Sequence, residues 1–394
     1  MLSGIMPRGI NPSENPFRYG ALALDDAFAD REAELRELVA DVRNGQDVVI
    51  FAPRRYGKSS LIWRAAARLH RAKVLVAAVD LMTTPSKQKL AEKLAGAIYE
   101  NIASPLERAR ERALAPFRGL RIQPVVNVDP IDGSLTFSFG LGRRPADIDA
   151  TLERLLELPG ELGAGRGRRV ALVLDEFQEV VEIDPGLPKL MRAVFQVQPE
   201  VAHVYLGSKR HVMERIFNDE NEPFWRSAKP IELGRIEARP FARFIAKRFA
   251  DTGRAVDDAT VAELLERTGG HPYATQELAY FLWEETPTGG TAGPEELERA
   301  LAAVLRAEHA HFTLLWERSA KAQRLLLAAL AREQPGRPFS ADYRNEHGLP
   351  SAATMQKAAR ALVQREVLAA DRGAHVIAEP FLAEWIRANI DRIA

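Results

Sequence analysis

Residues 48–61 read Val-Val-Ile-Phe-Ala-Pro-Arg-Arg-Tyr-Gly-Lys-Ser-Ser-Leu, an apolar run that enters a loop containing Gly-Lys-Ser. The apolar run predicts a buried strand, and the sequence after Ser60 predicts a helix. In such a loop, backbone N–H groups surround a β-phosphate, a lysine reaches the β- and γ-phosphate oxygens, and a hydroxyl binds Mg²⁺. Gly57, Lys58 and Ser59 supply these groups, so the stretch predicts a site for a nucleoside triphosphate and Mg²⁺. The other loop positions assigned to nucleotide binding are Pro53, Arg54, Arg55, Tyr56 and Ser60.

One position of the loop departs from the usual pattern. A glycine normally stands four residues before the Gly-Lys pair, whereas Ala52 occupies that place here. Alanine is the smallest residue that can replace glycine. The alternative interpretation is a strand-to-helix turn without a ligand, but the flanking strand and helix patterns favour phosphate binding.

The composition excludes several classes of protein. The 394 residues contain 46% apolar residues, and 54 Lys and Arg balance 54 Asp and Glu. No field of the whole protein would therefore attract nucleic acid or a membrane. The absence of cysteine excludes disulfides, thiolate catalysis and the common structural zinc sites. Because no apolar run reaches 18 residues, we expect no membrane association and a cytoplasmic location.

A second acidic motif follows the apolar run Val170–Leu174. A buried strand there delivers Asp175 and Glu176 to the carboxyl edge of a sheet, where ligands of open α/β sheets bind. Asp175 is the predicted Mg²⁺ ligand together with Ser59, and Glu176 the residue that polarises the attacking water. The alternative is an acidic pair at a helix N-terminus.

Two further residues are candidate catalytic groups besides Glu176 and Lys58. Ser208 ends another apolar strand and is the candidate sensor of the γ-phosphate or the water. Arg226 precedes a strand near Ile231 and would stabilise transferred negative charge, acting across a subunit boundary. The alternative for Arg226 is a solvated side chain beside Trp225.

The order of predicted elements divides the chain into three domains. Residues 1–236 form a nucleotide-binding α/β core, with an inserted hairpin at about 117–143; residues 237–318 form a helical region; residues 319–394 follow the element order of a winged helix. The first predicted helix lies at 28–39, with Asp30 as its N-cap.

These motifs resemble the archaeal-type P-loop ATPases of the STAND class (signal-transduction ATPases with numerous domains), a branch of the AAA+ proteins. The similarity covers nearly the whole chain and rests on residues 31–35, 53–61, 174–178, 206–208, 223–225, 231–233 and 270–273.

The resemblance implies an α/β fold with a five-stranded parallel sheet, a helical lid and a C-terminal winged helix, and an ATPase; a switch of this kind would have a slow turnover. It also implies that Pro272 touches the adenine-side pocket, and that Phe28 and Arg31 flank the base. Asp30, like Ala52, replaces a residue that is often glycine in the family. Related motors carry an arginine on the helix at 273–284, which has none here, and this favours a switch.

Three functions remain open. In the first, ATP moves the lid and the winged helix and so controls a protein partner, with nucleotide-dependent self-association. In the second, residues 351–378 bind DNA under ATP control, as in origin-recognition ATPases; residues 321–394 contain 11 Lys and Arg against 8 Asp and Glu. In the third, the site binds nucleotide without hydrolysing it. The biological signal and the effector are not encoded in a recognisable motif.

Overall fold

The computed structural model describes residues 14–20, 29–101, 124–128, 135–139, 145–371 and 373–393. These residues form two compact units. The first contains Arg31–Arg54 and the described part of Lys58–Gly234, and the second contains Arg55–Gly57, the described residues before Arg31, and residues 235–393. The finer division into core, lid and winged helix stays a prediction.

The first unit is built on a five-stranded parallel sheet. Its strands are β1 (Val48–Phe51), β2 (Leu75–Asp80), β5 (Val170–Asp175), β6 (Val201–Gly207) and β7 (Lys229–Glu232). The order across the sheet is β2-β5-β6-β1-β7. β1 and β6 are buried along their whole length, as expected for parallel strands that are covered on both faces. The predicted parallel sheet is confirmed.

Helices surround this sheet and contribute the rest of the core. They are α1 (Glu32–Asn44), α2 (Lys58–Arg71), α3 (Lys87–Asn101), α4 (Pro145–Arg166), α5 (Val180–Ile183), α6 (Leu187–Phe195) and α7 (Arg210–Asn218), with a 3₁₀ turn at Phe177–Glu179. Sequence patterns did not predict α4, which contains Pro159 and several glycines. Its Leu152, Leu155 and Leu156 are fully buried, so tertiary packing overrides the weak local helix propensity.

The start of α1 differs from the prediction. Arg31, not Asp30, is the N-cap, and no side chain caps the helix. The prediction was wrong because Asp30 and Arg31 have φ angles of 48° and 76°, in the left-handed region. An N-cap residue that bonds its helix through the side chain normally has an extended backbone.

The predicted hairpin in the ATPase core forms two antiparallel strands. β3 (Pro124–Val128) pairs with β4 (Leu135–Phe139), with Val126 opposite Phe137. The predicted turn at 130–133 lies outside the described residues.

The second unit is mainly helical. Its helices are α8 (Ala238–Asp251), α9 (Asp258–Thr268), α10 (Pro272–Glu285), α11 (Pro294–Ala307), α12 (His309–Glu317), α13 (Lys321–Arg332), α14 (Ala341–Glu346), α15 (Ala352–Gln364) and α16 (Pro380–Ile393). Short strands β8 (Ala255–Val256) and β9 (Thr291–Ala292) pair in parallel, and β10 (Leu368–Asp371) pairs with β11 (Ala374–Ile377) in antiparallel orientation.

The helix-helix-helix-hairpin order predicted for the tail is confirmed by α13, α14, α15 and the β10–β11 pair. α16 was not predicted, although its Phe381, Trp385 and Ile386 belong to the core of the second unit. Within the described chain, no helix combines the length and apolarity required to cross a bilayer.

Candidate nucleotide site

The sheet brings the predicted site residues to one edge. Asp80 lies opposite Asp175, and Phe51 lies opposite Gly207, so the parallel strands end together. Because β6 lies between β5 and β1, Ser208 follows its strand between the acidic pair and the phosphate loop. This is the edge at which open α/β sheets bind ligands.

The phosphate loop curls around the side chain of its lysine. Lys58 is only 6% exposed, and its Nζ donates to the carbonyl oxygens of Ala52 at 2.9 Å and Pro53 at 3.2 Å. Gly57 has a φ of 85°, a conformation that glycine adopts without strain. The φ of Ala52 lies outside the left-handed region, so the backbone does not require glycine there.

Ser59 and Asp175 provide oxygen donors suited to a magnesium ion. Ser59 Oγ lies 3.5 Å from Asp175 Oδ2. Burial raises the pKa of Asp175, and the neighbouring negative charge of Glu176 raises it further. A hydroxyl and a carboxylate are the hard ligands that Mg²⁺ prefers, and a divalent cation would relieve the repulsion between the acids. The residues present therefore fit Mg²⁺.

Glu176 is held in one orientation. Its Oε2 accepts hydrogen bonds from Ser208 Oγ at 2.7 Å, Ser208 N at 3.3 Å and Gln178 Nε2 at 2.5 Å. Burial opposes ionisation of Glu176, but the hydrogen bonds from Gln178 and Ser208 outweigh it, so its pKa lies below the ordinary value. The φ of Glu176 is 53°, an unfavourable backbone conformation that the surrounding contacts maintain. The site thus contains an ionised, oriented carboxylate.

An aromatic cluster anchors the turn that carries Glu176. Phe177 is fully buried, and its ring centroid lies 4.7 Å from that of Tyr205, 5.2 Å from that of Phe224 and 5.8 Å from that of Phe217. Each aromatic contact adds to the burial energy of the ring. The strained turn is therefore stabilised by the core directly below it.

Family models identify the chain. A model of an ATPase domain found predominantly in Archaea matches residues 28–278, and a winged helix domain model matches residues 310–388. The chain belongs to this ATPase family. The protein is accordingly an ATPase, and its C-terminal region is a winged helix.

Solved structures share the fold of this ATPase. A Walker-type ATPase of Pyrococcus abyssi superposes with a TM-score of 0.64 at 16% identity, over 98% of this chain and 100% of the other. The ORC2 protein of Aeropyrum pernix, in ADPNP and ADP complexes, has a TM-score of 0.55 at 13% identity, over 92% of this chain and 93% of the other. No curated protein matches the chain.

The ATPase contains one site residue that the sequence patterns missed. The sequence predicts Lys58, Ser59, Asp175, Glu176 and Ser208 as site residues, and their roles stay predictions. Gln178 belongs to the stretch 174–178 but has no predicted site role, although it donates to Glu176. The sequence signal for Gln178 was an amide side chain two residues after the second acid, in a turn that reverses the direction of the chain.

Arg226 does not join this edge of the sheet. It precedes β7, whose first residue pairs with the first residue of β1, so Arg226 lies towards the amino edge. The side chain is exposed, and its guanidinium carbon lies 5.6 Å from the ring centroid of Trp225. Within its own chain Arg226 therefore lies apart from Lys58 and Glu176, and action on a second chain stays a prediction.

Of the two residues predicted to flank the base, the structure describes only Arg31. Phe28 lies outside the described residues. The guanidinium of Arg31 donates to the carbonyl oxygen of Gly234 and, at 2.9 Å, to Glu34 Oε1. Arg31 is 6% exposed and thus serves as a buried tie between α1 and the residues after β7. Its contact with a base stays a prediction.

Pro272 is the first residue of α10, as the capping rules predicted. The preceding His271 caps this helix, since its Nδ1 accepts from Ala274 N at 3.2 Å. Burial, aided by the positive charge of Arg235, lowers the pKa of His271 to about 3. The imidazole is therefore neutral at physiological pH and works as a cap. Tyr56 of the phosphate loop lies edge-on to this ring, with centroids 4.8 Å apart.

Arg55 has partners within the second unit. Its Nη1 lies 2.9 Å from Glu379 Oε1, beside the start of α16. The guanidinium carbon also lies 4.3 Å from the ring centroid of Tyr273, on α10. A residue of the phosphate loop thus contacts both α10 and the residue that precedes α16.

Proposed function

We propose that this ATPase is a Mg²⁺-dependent molecular switch of the STAND type, in which the nucleotide state controls the lid and the winged helix and, through them, a protein partner. One observation carries the hydrolytic part of the proposal. Ser59 Oγ lies 3.5 Å from Asp175 Oδ2, and Ser208 Oγ lies 2.7 Å from Glu176 Oε2. Both pairs lie at the same edge of the sheet as Lys58.

Each residue has a distinct role in the proposed reaction. Lys58 binds the β- and γ-phosphate oxygens, while Ser59 and Asp175 hold the metal. Bound Mg²⁺ neutralises charge that develops on the phosphates. Glu176 orients and polarises the attacking water, and Ser208 holds the carboxylate of Glu176 in place.

The contacts of the phosphate loop support the switch. Arg55 pairs with Glu379 and lies over Tyr273, and Tyr56 packs against His271. A phosphate that draws Arg55 into its own coordination would weaken the contacts of Arg55 with Glu379 and Tyr273, because one guanidinium cannot serve all partners in the same geometry. Nucleotide binding and release would then change the contacts of the lid and the winged helix.

Phosphate release tests the hydrolytic assignment. We expect Glu176→Gln to lower kcat about 10²–10⁴-fold and to retain ATP binding, because the amide keeps the shape but cannot polarise water. Lys58→Ala should lose ATP affinity itself. Glu182→Gln, an exposed acid on α5, is the matched control and should leave kcat unchanged. An unchanged kcat in Glu176→Gln would refute the role of Glu176.

Distance measurements test the switch separately. The chain has no cysteine, so two introduced cysteines label only the chosen positions. The exposed residues Glu182 and Gln356 suit donor and acceptor dyes. We expect the transfer efficiency to differ between the ADP complex and the ATP complex of Glu176→Gln. Equal efficiencies in both complexes would contradict a switch while leaving hydrolysis intact.

A second candidate function is ATP-controlled DNA binding by the winged helix. One face of α15 carries Lys357 and Arg360, followed by Arg365; all three are exposed and have no ion-pair partner among the described residues. Cations of this kind are available for phosphate contacts. A salt-sensitive gel shift that is weakened by Lys357→Ala would support DNA binding, and no shift at low salt would exclude it.

A further inference from the structure

We infer that Gln178 is a positioning residue for ATP hydrolysis, whose amide fixes the carboxylate of Glu176 so that Oε1 remains the oxygen that faces the water. This inference rests on the proposed role of Glu176. Gln178 lies in the 3₁₀ turn after β5 and is 3% exposed. Its Nε2 donates to Glu176 Oε2 at 2.5 Å.

The orientation of the Gln178 amide follows from its partners. Nε2 lies 2.5 Å from Glu176 Oε2 and 3.4 Å from Glu179 Oε1. Glu179 Oε1 also accepts a hydrogen bond from Lys209 Nζ at 2.8 Å. Ionised carboxylates only accept hydrogen bonds, so the amide must present its N–H groups and not its oxygen to them. Gln178 is therefore a donor to Glu176.

Two donors from different segments define the plane of the Glu176 carboxylate. Ser208 approaches Oε2 from the end of β6, and Gln178 approaches it from the turn after β5. A single hydrogen bond tolerates a range of directions, so one donor alone would leave the carboxylate some rotation about the last torsion of the side chain. The second donor restricts that rotation. Among the described residues no group donates to Oε1, which leaves this oxygen for the water.

The surroundings of Gln178 are poorly suited to a purely structural role. Its Oε1 is buried and has no hydrogen-bond partner among the described residues, and an unmade bond of this kind is unfavourable. Gly207 provides the space, because a Cβ there would lie 2.7 Å from Gln178 Oε1. An apolar side chain would fill the same space without an unpaired oxygen. The N–H groups are what an amide supplies and an apolar residue lacks.

The test combines kinetics with nucleotide binding. We expect Gln178→Met, which keeps the length but removes the donor, to lower kcat about 10–100-fold. The dissociation constant of a non-hydrolysable ATP analogue should change less than about twofold, since Gln178 contacts Glu176 and not the loop. The matched control is Gln198→Met. Gln198 is also buried and donates to Leu156 O at 2.8 Å, and its Oε1 has no hydrogen-bond partner within the described part of the chain, but it precedes β6 at the opposite edge.

A double-mutant cycle separates positioning from structural support. In the Glu176→Gln background, Gln178→Met should cause no further loss of the residual turnover, because the carboxylate that Gln178 positions is gone. The melting temperatures of the four proteins provide a readout without activity. The decrease caused by Gln178→Met should be smaller in the Glu176→Gln background, since the lost bond is no longer charge-assisted.

The outcomes distinguish the two assignments. If Glu176→Gln abolishes turnover and Gln178→Met leaves kcat at the wild-type value, the inference about Gln178 is wrong and the proposed function stands. Equal fold losses from Gln178→Met in both backgrounds would also overturn positioning. If Glu176→Gln itself retains full turnover, both assignments fail. Should Gln178→Met fail to fold, Gln178→Asn, whose amide is one methylene short of Glu176, takes its place with the same expectations.

Discussion

Glu277 on α10 is a buried acid, and its substitution should stabilise the ATPase. The residue is 0% exposed. Burial, with the negative charges of Glu308 and Glu379, raises its pKa from 4.5 to about 9. The folded chain therefore keeps this carboxyl protonated at neutral pH. We expect Glu277→Gln, which is neutral at every pH, to increase stability.

The size of the effect follows from proton linkage. The unfolded state releases the proton of Glu277 as the pH rises through 4.5, whereas the folded state retains it up to about 9. The contribution of Glu277 to the free energy of unfolding is therefore fully present below pH 4.5 and is lost progressively as the pH rises towards about 9. Each pH unit in this window lowers the free energy of unfolding by about 1.4 kcal/mol. Between pH 4.5 and 7.5 the loss approaches 4 kcal/mol, and we expect about 2–4 kcal/mol to be recovered by Glu277→Gln.

Thermal unfolding at two pH values measures the effect. At about pH 8, Glu277→Gln should raise the melting temperature by roughly 4–16 °C, and the gain should shrink towards pH 5. Glu295→Gln replaces an exposed acid of α11 and is the control, for which we expect no comparable pH-dependent gain. A gain of equal size at both pH values, or a loss at pH 8, would refute the assignment of a protonated, buried Glu277.

Three further substitutions test other parts of the molecule. Phe177→Ala should destabilise the first unit by about 3–5 kcal/mol, measured by denaturant unfolding, and an unchanged midpoint would contradict its anchoring role. Glu379→Gln should shift the melting temperature little, because its ion pair with Arg55 is partly exposed, but should reduce the difference in dye distance between the ATP and ADP states; an unaltered difference would contradict a role of the Arg55–Glu379 pair in the switch. If Arg226 acts on a second chain, specific activity should rise with protein concentration and Arg226→Ala should abolish that rise; a concentration-independent activity refutes it.

Local patterns predicted the parts of the fold that depend on short-range chemistry. Strands β1 and β5 are continuous apolar runs, and such a run is sufficient to predict a parallel strand that is covered on both faces. By contrast, α4 contains Pro159 and several glycines and is stabilised by burial that no local pattern reveals. α16 was missed for a related reason, since its Trp385 is buried by residues distant in sequence.

By itself, the sequence determined the chemistry of the site. The loop at 53–60 and the acids after β5 supply a lysine, a hydroxyl and two carboxylates. These residue types are the ones that phosphate and Mg²⁺ require, so they predict the chemistry before the distances between them are known. The tertiary structure decided which groups control Glu176. The insertion of β6 between β5 and β1 places Ser208 against it, and the turn brings Gln178 back to it. The same holds for Glu277, whose proton depends on burial, and burial is a property of the packed chain that no local sequence pattern contains.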